Sequence, residues 1–355
     1  MVFFYIYFHL LEWWSQWFFH QDICFLEIIS KMNNYSWWQQ KLHQFALSTN
    51  FMREVTFDIE SSLISVNQTQ DNHVFVAGLA RSGTTILLNA LHKSNEFASL
   101  SYRDMPFVLA PNLWSKLSFH IKSSDLIQRA HGDGIKISQD SPEAFEEVFW
   151  MSFDEKDNKT IEKFKKYVQR INHRYQKERY LSKNNQNIKR LDLIAEIFPL
   201  STILIPFRNP IQHAFSLLSQ HKRFIEYSKK DKFISSYMGW IGHTEFGPNY
   251  IPIHNKNLNF IDYYDINHWL EQWYISYQIC HDYFNNKENF HFICYEQLCS
   301  SKKYWLNILN ILNIKETYDF DFYESYKNIS LEIDGNIMKK TLNLYTKISE
   351  SQKSF

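Results

Sequence analysis

Glycine and proline are scarce in this chain, eight of each in 355 residues. That excludes collagen-like, Pro-rich and Gly/Ser-linker architectures. It also means that wherever glycines gather, the backbone has unusual demands. Cysteine is rarer still. Cys24, Cys280, Cys294 and Cys299 are the only four, and no two have the Cys-x-x-Cys spacing. This pattern speaks for neither a disulfide framework nor a zinc site and fits reduced thiols in a cytoplasmic protein. Net charge is absent, with 38 basic against 38 acidic residues, so no overall field recruits nucleic acid or an anionic membrane. Long apolar runs are missing too. Val2 to Leu11 is interrupted at Glu12, and a bilayer span needs roughly 20 apolar residues; no transmembrane segment is expected.

Residues 1–70 read as an aromatic-rich helical extension, and 71–355 as the main domain. The first thirty residues have no basic region or small-residue cleavage site of a signal peptide. Three readings remain for them: an aromatic amphipathic helix packed on the fold, a peripheral membrane contact, or upstream sequence unused in the cell, with Met32 as an alternative start. The 45% hydrophobic fraction is ample for a sizeable core.

Apolar periodicity places strands at His73–Ala77, Thr202–Phe207 and Phe290–Cys294. Helices are expected within 37–64, over Thr84–Leu91, from Ser141-Pro142 through Phe149, over Leu191–Phe198, from Asn209-Pro210 to Leu218, and around Tyr304–Leu312. Residues 154–187 read as a charged, solvated helix leading into a loop, and Glu143, Glu146 and Glu147 as a solvated helix face. Strands alternating with helices give an α/β fold, a parallel β-sheet flanked by helices. Residues 222–262, rich in aromatics, Gly and His, look like an acceptor-side insertion over the carboxyl edge of the sheet, where such folds bind ligands.

Gly78-Leu79-Ala80-Arg81-Ser82-Gly83-Thr84-Thr85 follows the first strand and opens a helix. Glycines let several backbone N–H groups face one anion, and the helix N-terminus adds its dipole. Thr84 and Thr85 can donate hydroxyls to phosphate oxygens. The spacing is that of a P-loop, with Thr84 where a nucleotide kinase carries lysine. A P-loop phosphotransferase on ATP is thus one rival reading, and a non-catalytic nucleotide-binding module another.

The stretch Arg81-Ser82-Gly83-Thr84-Thr85 resembles the 5′-phosphosulfate loop of sulfotransferases that use 3′-phosphoadenosine 5′-phosphosulfate (PAPS), departing at Ala80, where proline is common. The resemblance implies a P-loop NTPase-like sulfotransferase fold of the bacterial single-domain type, with PAPS as co-substrate and no metal. Its carry-over makes Arg81 a contact of the bridging and sulfonate oxygens, a stabiliser more than an acid. A second signature, an arginine at a strand end with a serine eight residues on, reads the 3′-phosphate; here it is Arg208-Asn209-Pro210 with Ser216. An arginine fork plus a hydroxyl suits a dianionic phosphate. Ile293-Cys294-Tyr295-Glu296-Gln297-Leu298 resembles a later family segment, with Tyr295 the adenine contact and a core tyrosine the alternative. Together these motifs run over roughly residues 73–315.

Sulfuryl transfer needs positioned cations at the sulfonate and a base at the acceptor. Cytosolic members of the family place Lys-x-His ahead of the 3′-phosphate strand. Lys183 fits the lysine, as stabiliser of the transferring group, but Asn185 stands at the histidine position and cannot be a base. Another branch uses a glutamate about two dozen residues after the loop arginine, and the neighbourhood here is Ser101-Tyr102-Arg103-Asp104. Asp104 is the first candidate base, with Arg103 holding it or the sulfonate. His131, His243 and Glu245 are the others. The expected acceptor is a small molecule, a carbohydrate or a lipid carrying a hydroxyl or an amine, with no nucleic-acid partner.

Overall fold

The computed structural model describes residues 36–66, 71–118, 127–128, 136–284, 287–323 and 326–351. Residues 1–35, and with them half of the expected extension, lie outside these. So does His131. Among the described residues two helices, α1 (Trp37–Leu47) and α2 (Asn50–Leu63), come first. Ser36 and Gln39 form a reciprocal capping box at the start of α1, and Thr49 caps α2. The break between the two falls at Ser48-Thr49. Phe57 of α2 packs among Phe149, Phe153 and Tyr167 of the main body.

The main sheet has five parallel strands: β1 (Val74–Val76), β2 (Phe97–Ala98), β3 (Arg179–Lys183), β4 (Thr202–Phe207) and β5 (Phe290–Cys294). Their spatial order is β2-β3-β1-β4-β5. Each strand is followed, directly or after a loop, by helix. These are α3 (Thr84–His92) and α4 (Pro111–Leu117), then α5 (Glu147–Trp150), α6 (Asn158–Tyr175) and α7 (Leu191–Ile197). Next come α8 (Pro210–Lys230), α9 (Lys232–Trp240) and α10 (Ile266–Phe284), and finally α11 (Tyr295–Ser300), α12 (Lys302–Ile311) and α13 (Gly335–Ser351).

Alternation along the strands sorts the core into two layers. Phe75, Ile203, Ile205 and Phe207 face Phe164 and Tyr167 of α6, Trp273 and Tyr277 of α10, and Leu344 and Ile348 of α13. Val74, Val76, Leu181, Leu204 and Ile293 face Leu87, Leu88 and Leu91 of α3 and Trp305 and Ile308 of α12. Both faces are covered, as a parallel sheet requires. The chain leaves β1 toward β2 and β3 on one side, then returns to add β4 and β5 on the other. Beyond the carboxyl ends of β1 and β4 the connections therefore diverge, opening a crevice.

Three expectations are corrected. Arg179–Lys183 is a strand, and the charged helix before it stops at Tyr175. Ser141-Pro142 starts no helix. Pro142 bridges Ser101, Glu143 N–H bonds Leu100 O at 3.0 Å, and helix begins only at Glu147. Pairing with the chain after β2 holds this stretch extended. Nor is the acidic face solvated, since Glu143, Glu146 and Glu147 are all buried.

Candidate active site

The loop after β1 has little freedom. A Cβ on Gly78 would sit 2.8 Å from the Pro206 carbonyl oxygen, so β1 and β4 approach closely there only with glycine. Gly83 has φ +100°, and a Cβ on it would come within 2.5 Å of the Tyr295 ring. Arg81 is also left-handed, at φ 72°. For a non-glycine residue this conformation costs roughly 1–2 kcal/mol, and such strain collects at ligand sites. It turns the Arg81 side chain toward α8, where Nε donates to Ser216 Oγ at 3.2 Å. Ser82 is fully buried, while Thr84 and Thr85 begin α3.

Asn209 caps α8 by accepting from the N–H groups of Ile211 and Gln212, both at 3.1 Å, and Pro210 takes the first helical position. Arg208 stands just ahead of that cap, its guanidinium 5.6 Å from the Tyr295 ring centre. One residue thus touches both halves of the crevice, for the Tyr295 ring lies between Gly83 and Arg208 while its hydroxyl donates to Tyr323 O at 2.8 Å. Successive turns bring Gln212 and Ser216 to the same face as Arg208. Gln212 holds the Lys327 backbone reciprocally, its Nε2 donating to Lys327 O at 2.9 Å and its Oε1 accepting from Lys327 N–H at 3.0 Å. The segment before α13 therefore crosses this face.

From inside α8, His213 Nε2–H donates to Ala80 O at 2.7 Å and fixes the loop from behind. Burial, aided by the charges of Arg208 and Arg81, pushes its pKa down to about 3 and keeps the ring neutral.

Beside the loop, β3 ends in a run of buried polar residues. Lys183 pairs with Glu143 at 3.4 Å, both side chains almost wholly buried. Glu143 also accepts from Tyr102 OH at 3.0 Å. Thr84 Oγ1 donates to Asn185 Oδ1 at 3.2 Å, and Asn185 Nδ2 donates to Glu245 Oε1 at 3.1 Å. Gln186 Nε2 donates to Thr244 Oγ1 at 3.1 Å. The 222–262 segment thereby reaches the loop through Asn185.

Asp104 lies in a 3-10 turn, Tyr102–Asp104, past β2. Its Oδ2 accepts from Ser101 N–H at 2.8 Å and Tyr175 OH at 2.6 Å, and Arg174 Nε is 4.0 Å from Oδ1. Burial raises its pKa to about 6 against the pull of those partners. All of them belong to the turn or to α6. Arg103 pairs with Asp140. His243 donates its backbone N–H to Met238 O at 2.9 Å, and its buried Nε2 has no hydrogen-bond partner among the described residues.

The structure thus brings together Arg81, Ser82, Gly83, Thr84, Thr85, Arg208, Ser216 and Tyr295, with Lys183 on the adjacent strand. Asp104 and His243 make no hydrogen bond or ion pair with that cluster. Sequence reasoning missed Gln212 and His213, and missed the polar run 184–187 as the link to Glu245. Four uncharged polar residues directly after a strand were the signal available. Among the described residues no group of His, Cys, Asp and Glu could hold a metal ion, and no helix is long and apolar enough to cross a membrane.

A profile of the sulfotransferase family matches residues 73–240, from β1 to the end of α9. No curated protein sequence matches the chain. Among solved structures it is similar to a sulfotransferase from Mycobacterium avium, with 12% identity, 85% of this chain and 75% of that one covered, and a TM-score of 0.41. It is also similar to one from Mycobacterium tuberculosis, with 12% identity, coverage of 92% and 87%, and a TM-score of 0.43. A third, from Alicyclobacillus acidocaldarius, gives 14% identity, coverage of 80% and 94%, and a TM-score of 0.39.

Proposed function

We propose, since a profile of the sulfotransferase family matches residues 73–240, that this chain is a sulfotransferase and carries the sulfuryl group of PAPS to a hydroxyl or amine of a small molecule, a carbohydrate or a lipid. One observation carries the choice of donor: the contact between Arg81 on the loop and Ser216 on α8, with Arg208 two turns earlier at the head of the same helix. Two anion cradles that share a hydrogen bond suit a single nucleotide with phosphate at both ends.

In this reading the N–H groups at the start of α3, that of Thr84 among them, with the hydroxyls of Ser82 and Thr85, take the 5′-phosphosulfate. Arg81 lies against its bridging and sulfonate oxygens, where charge builds as the S–O bond breaks. Arg208 and Ser216 take the 3′-phosphate, and the Tyr295 ring takes the adenine. Lys183 stabilises the transferring group, its charge held at the strand end by Glu143. The bound anion competes with Ser216 for Arg81, so loading the donor rearranges that one contact. Among the described residues Cys280, Cys294 and Cys299 form no disulfide, which suits a reducing, cytoplasmic setting.

The test is transfer itself. Sulfur-labelled PAPS is offered with a mixed panel of phenols, sugars and fatty alcohols, and γ-labelled ATP in parallel. Labelled product from PAPS alone, lost in Arg81→Ala, supports the reading. Product from ATP alone would replace it with phosphoryl transfer.

A further inference from the structure

We infer that Glu245 is the general base that takes the proton from the acceptor, and that Asn185 is the residue that positions it. The inference rests on the sulfuryl-transfer reading above and adds the group that reading leaves unassigned.

The carboxylates near the carboxyl edge of the sheet differ in what holds them. Glu146 accepts from Tyr180 OH at 3.0 Å, Trp150 Nε1 at 3.1 Å, Asn187 Nδ2 at 2.8 Å and Ser182 Oγ at 2.5 Å. With four donors on two oxygens it is a buried anchor. Glu147 is taken by both terminal nitrogens of Arg190, at 2.7 and 3.1 Å. Glu143 is engaged by Lys183 and Tyr102, and Asp104 by Ser101 and Tyr175. Glu245 alone of these is tied to the phosphate loop, through the single side chain of Asn185. Its Oε1 receives that bond, and its Oε2 receives none from the described residues.

The bridging amide can point only one way. Thr84 donates to Oδ1, so Nδ2 must face Glu245, where an ionised carboxylate accepts. The reverse orientation would set a carbonyl oxygen against the carboxylate.

The segment carrying Glu245 is also rigid. Gly242 (φ +75°) and Gly247 (φ +84°) flank it, and a Cβ would come within 2.5 Å of Glu147 Cγ at the first and 3.0 Å of Phe224 Cβ at the second. Phe246 packs on Phe224 with ring centres 4.9 Å apart, and Thr244 is pinned by Gln186. A base must be held within hydrogen-bond reach of the proton it removes, and this segment supplies that hold.

In the step itself the acceptor O–H proton passes to Glu245 Oε2 while the acceptor oxygen forms a bond to sulfur. The S–O bond to the 5′-phosphate breaks, its electron pair leaves on adenosine 3′,5′-bisphosphate, and the proton then passes to water.

Water is an acceptor of known identity, so the test follows sulfate release from PAPS across pH, alongside calorimetric binding of adenosine 3′,5′-bisphosphate. Glu245→Gln should slow release about 100-fold, flatten the acid limb of the profile and leave nucleotide affinity within about twofold. Asn185→Ala frees the carboxylate to turn away, so it should slow release about tenfold with nucleotide affinity unchanged within about twofold, a rate-only loss that a purely structural role would not produce. A Glu245→Gln protein that keeps the wild-type rate and acid limb overturns the assignment. So does loss of that limb in Asp104→Asn instead. If wild-type protein fails to bind the bisphosphate, the donor reading falls and the proposal falls with it.

Discussion

Arg81 and Ser216 lie 135 residues apart in sequence, yet Nε of the first donates to Oγ of the second at 3.2 Å. The contact needs Arg81 in a left-handed conformation and α8 capped by Asn209, so two local features serve one long-range meeting. In the proposed reading, that meeting turns a phosphate loop into a site for a nucleotide carrying phosphate at both ends.

The two members of the second cradle should contribute unequally. Arg208→Ala removes a charge-assisted fork and should weaken adenosine 3′,5′-bisphosphate binding by about 2 kcal/mol, roughly 30-fold. Ser216→Ala removes one neutral hydroxyl and should cost about 1 kcal/mol, roughly fivefold. Affinity for 5′-AMP, which has no 3′-phosphate, should barely change in either. Calorimetric titration checks all three values.

Gly83→Ala should fail for two reasons at once. The backbone there is left-handed, and the new methyl would meet the Tyr295 ring. A loss of at least about 1–2 kcal/mol in denaturant unfolding is expected, together with loss of nucleotide binding.

Asp104 gives a pH signature with a definite sign. Its folded-state pKa, near 6, lies above the ordinary value of 3.8, because burial disfavours the ionised form. The folded protein therefore binds the extra proton, and this contribution to stability falls as pH rises from about 4 to about 6. The shift corresponds to about 3 kcal/mol. Unfolding of Asp104→Asn should lack this slope when compared with wild type across that range.

Gln212 holds the strap that precedes α13 through two hydrogen bonds to Lys327. Gln212→Ala should speed amide exchange at Lys327 by about tenfold or more while the five strands keep their protection. Mass-spectrometric exchange at peptide resolution reads both.

The parts legible in the sequence are those whose physics is local. An apolar run ending at Gly78 makes β1 and its loop, and Asn209-Pro210 makes a cap wherever a helix follows. β3 was hidden because Tyr180-Leu181-Ser182 is bracketed by Arg179 and Lys183, and charged ends mask a short buried strand. Glu143, Glu146 and Glu147 read as solvated because burial of a carboxylate depends on partners far along the chain. Those partners are Lys183, then Tyr180 with Asn187, then Arg190. The Asn185–Glu245 bond joins residues 60 apart, and neither end carries a local mark of the other.

The central claim is one nucleotide held at both ends, and the most direct measurement compares affinities for adenosine 3′,5′-bisphosphate and 5′-AMP. Wild-type protein should bind the bisphosphate at least about 30-fold more tightly, and Arg208→Ala should cut that preference by roughly 30-fold. Equal affinity of wild-type protein for the two nucleotides would contradict the account.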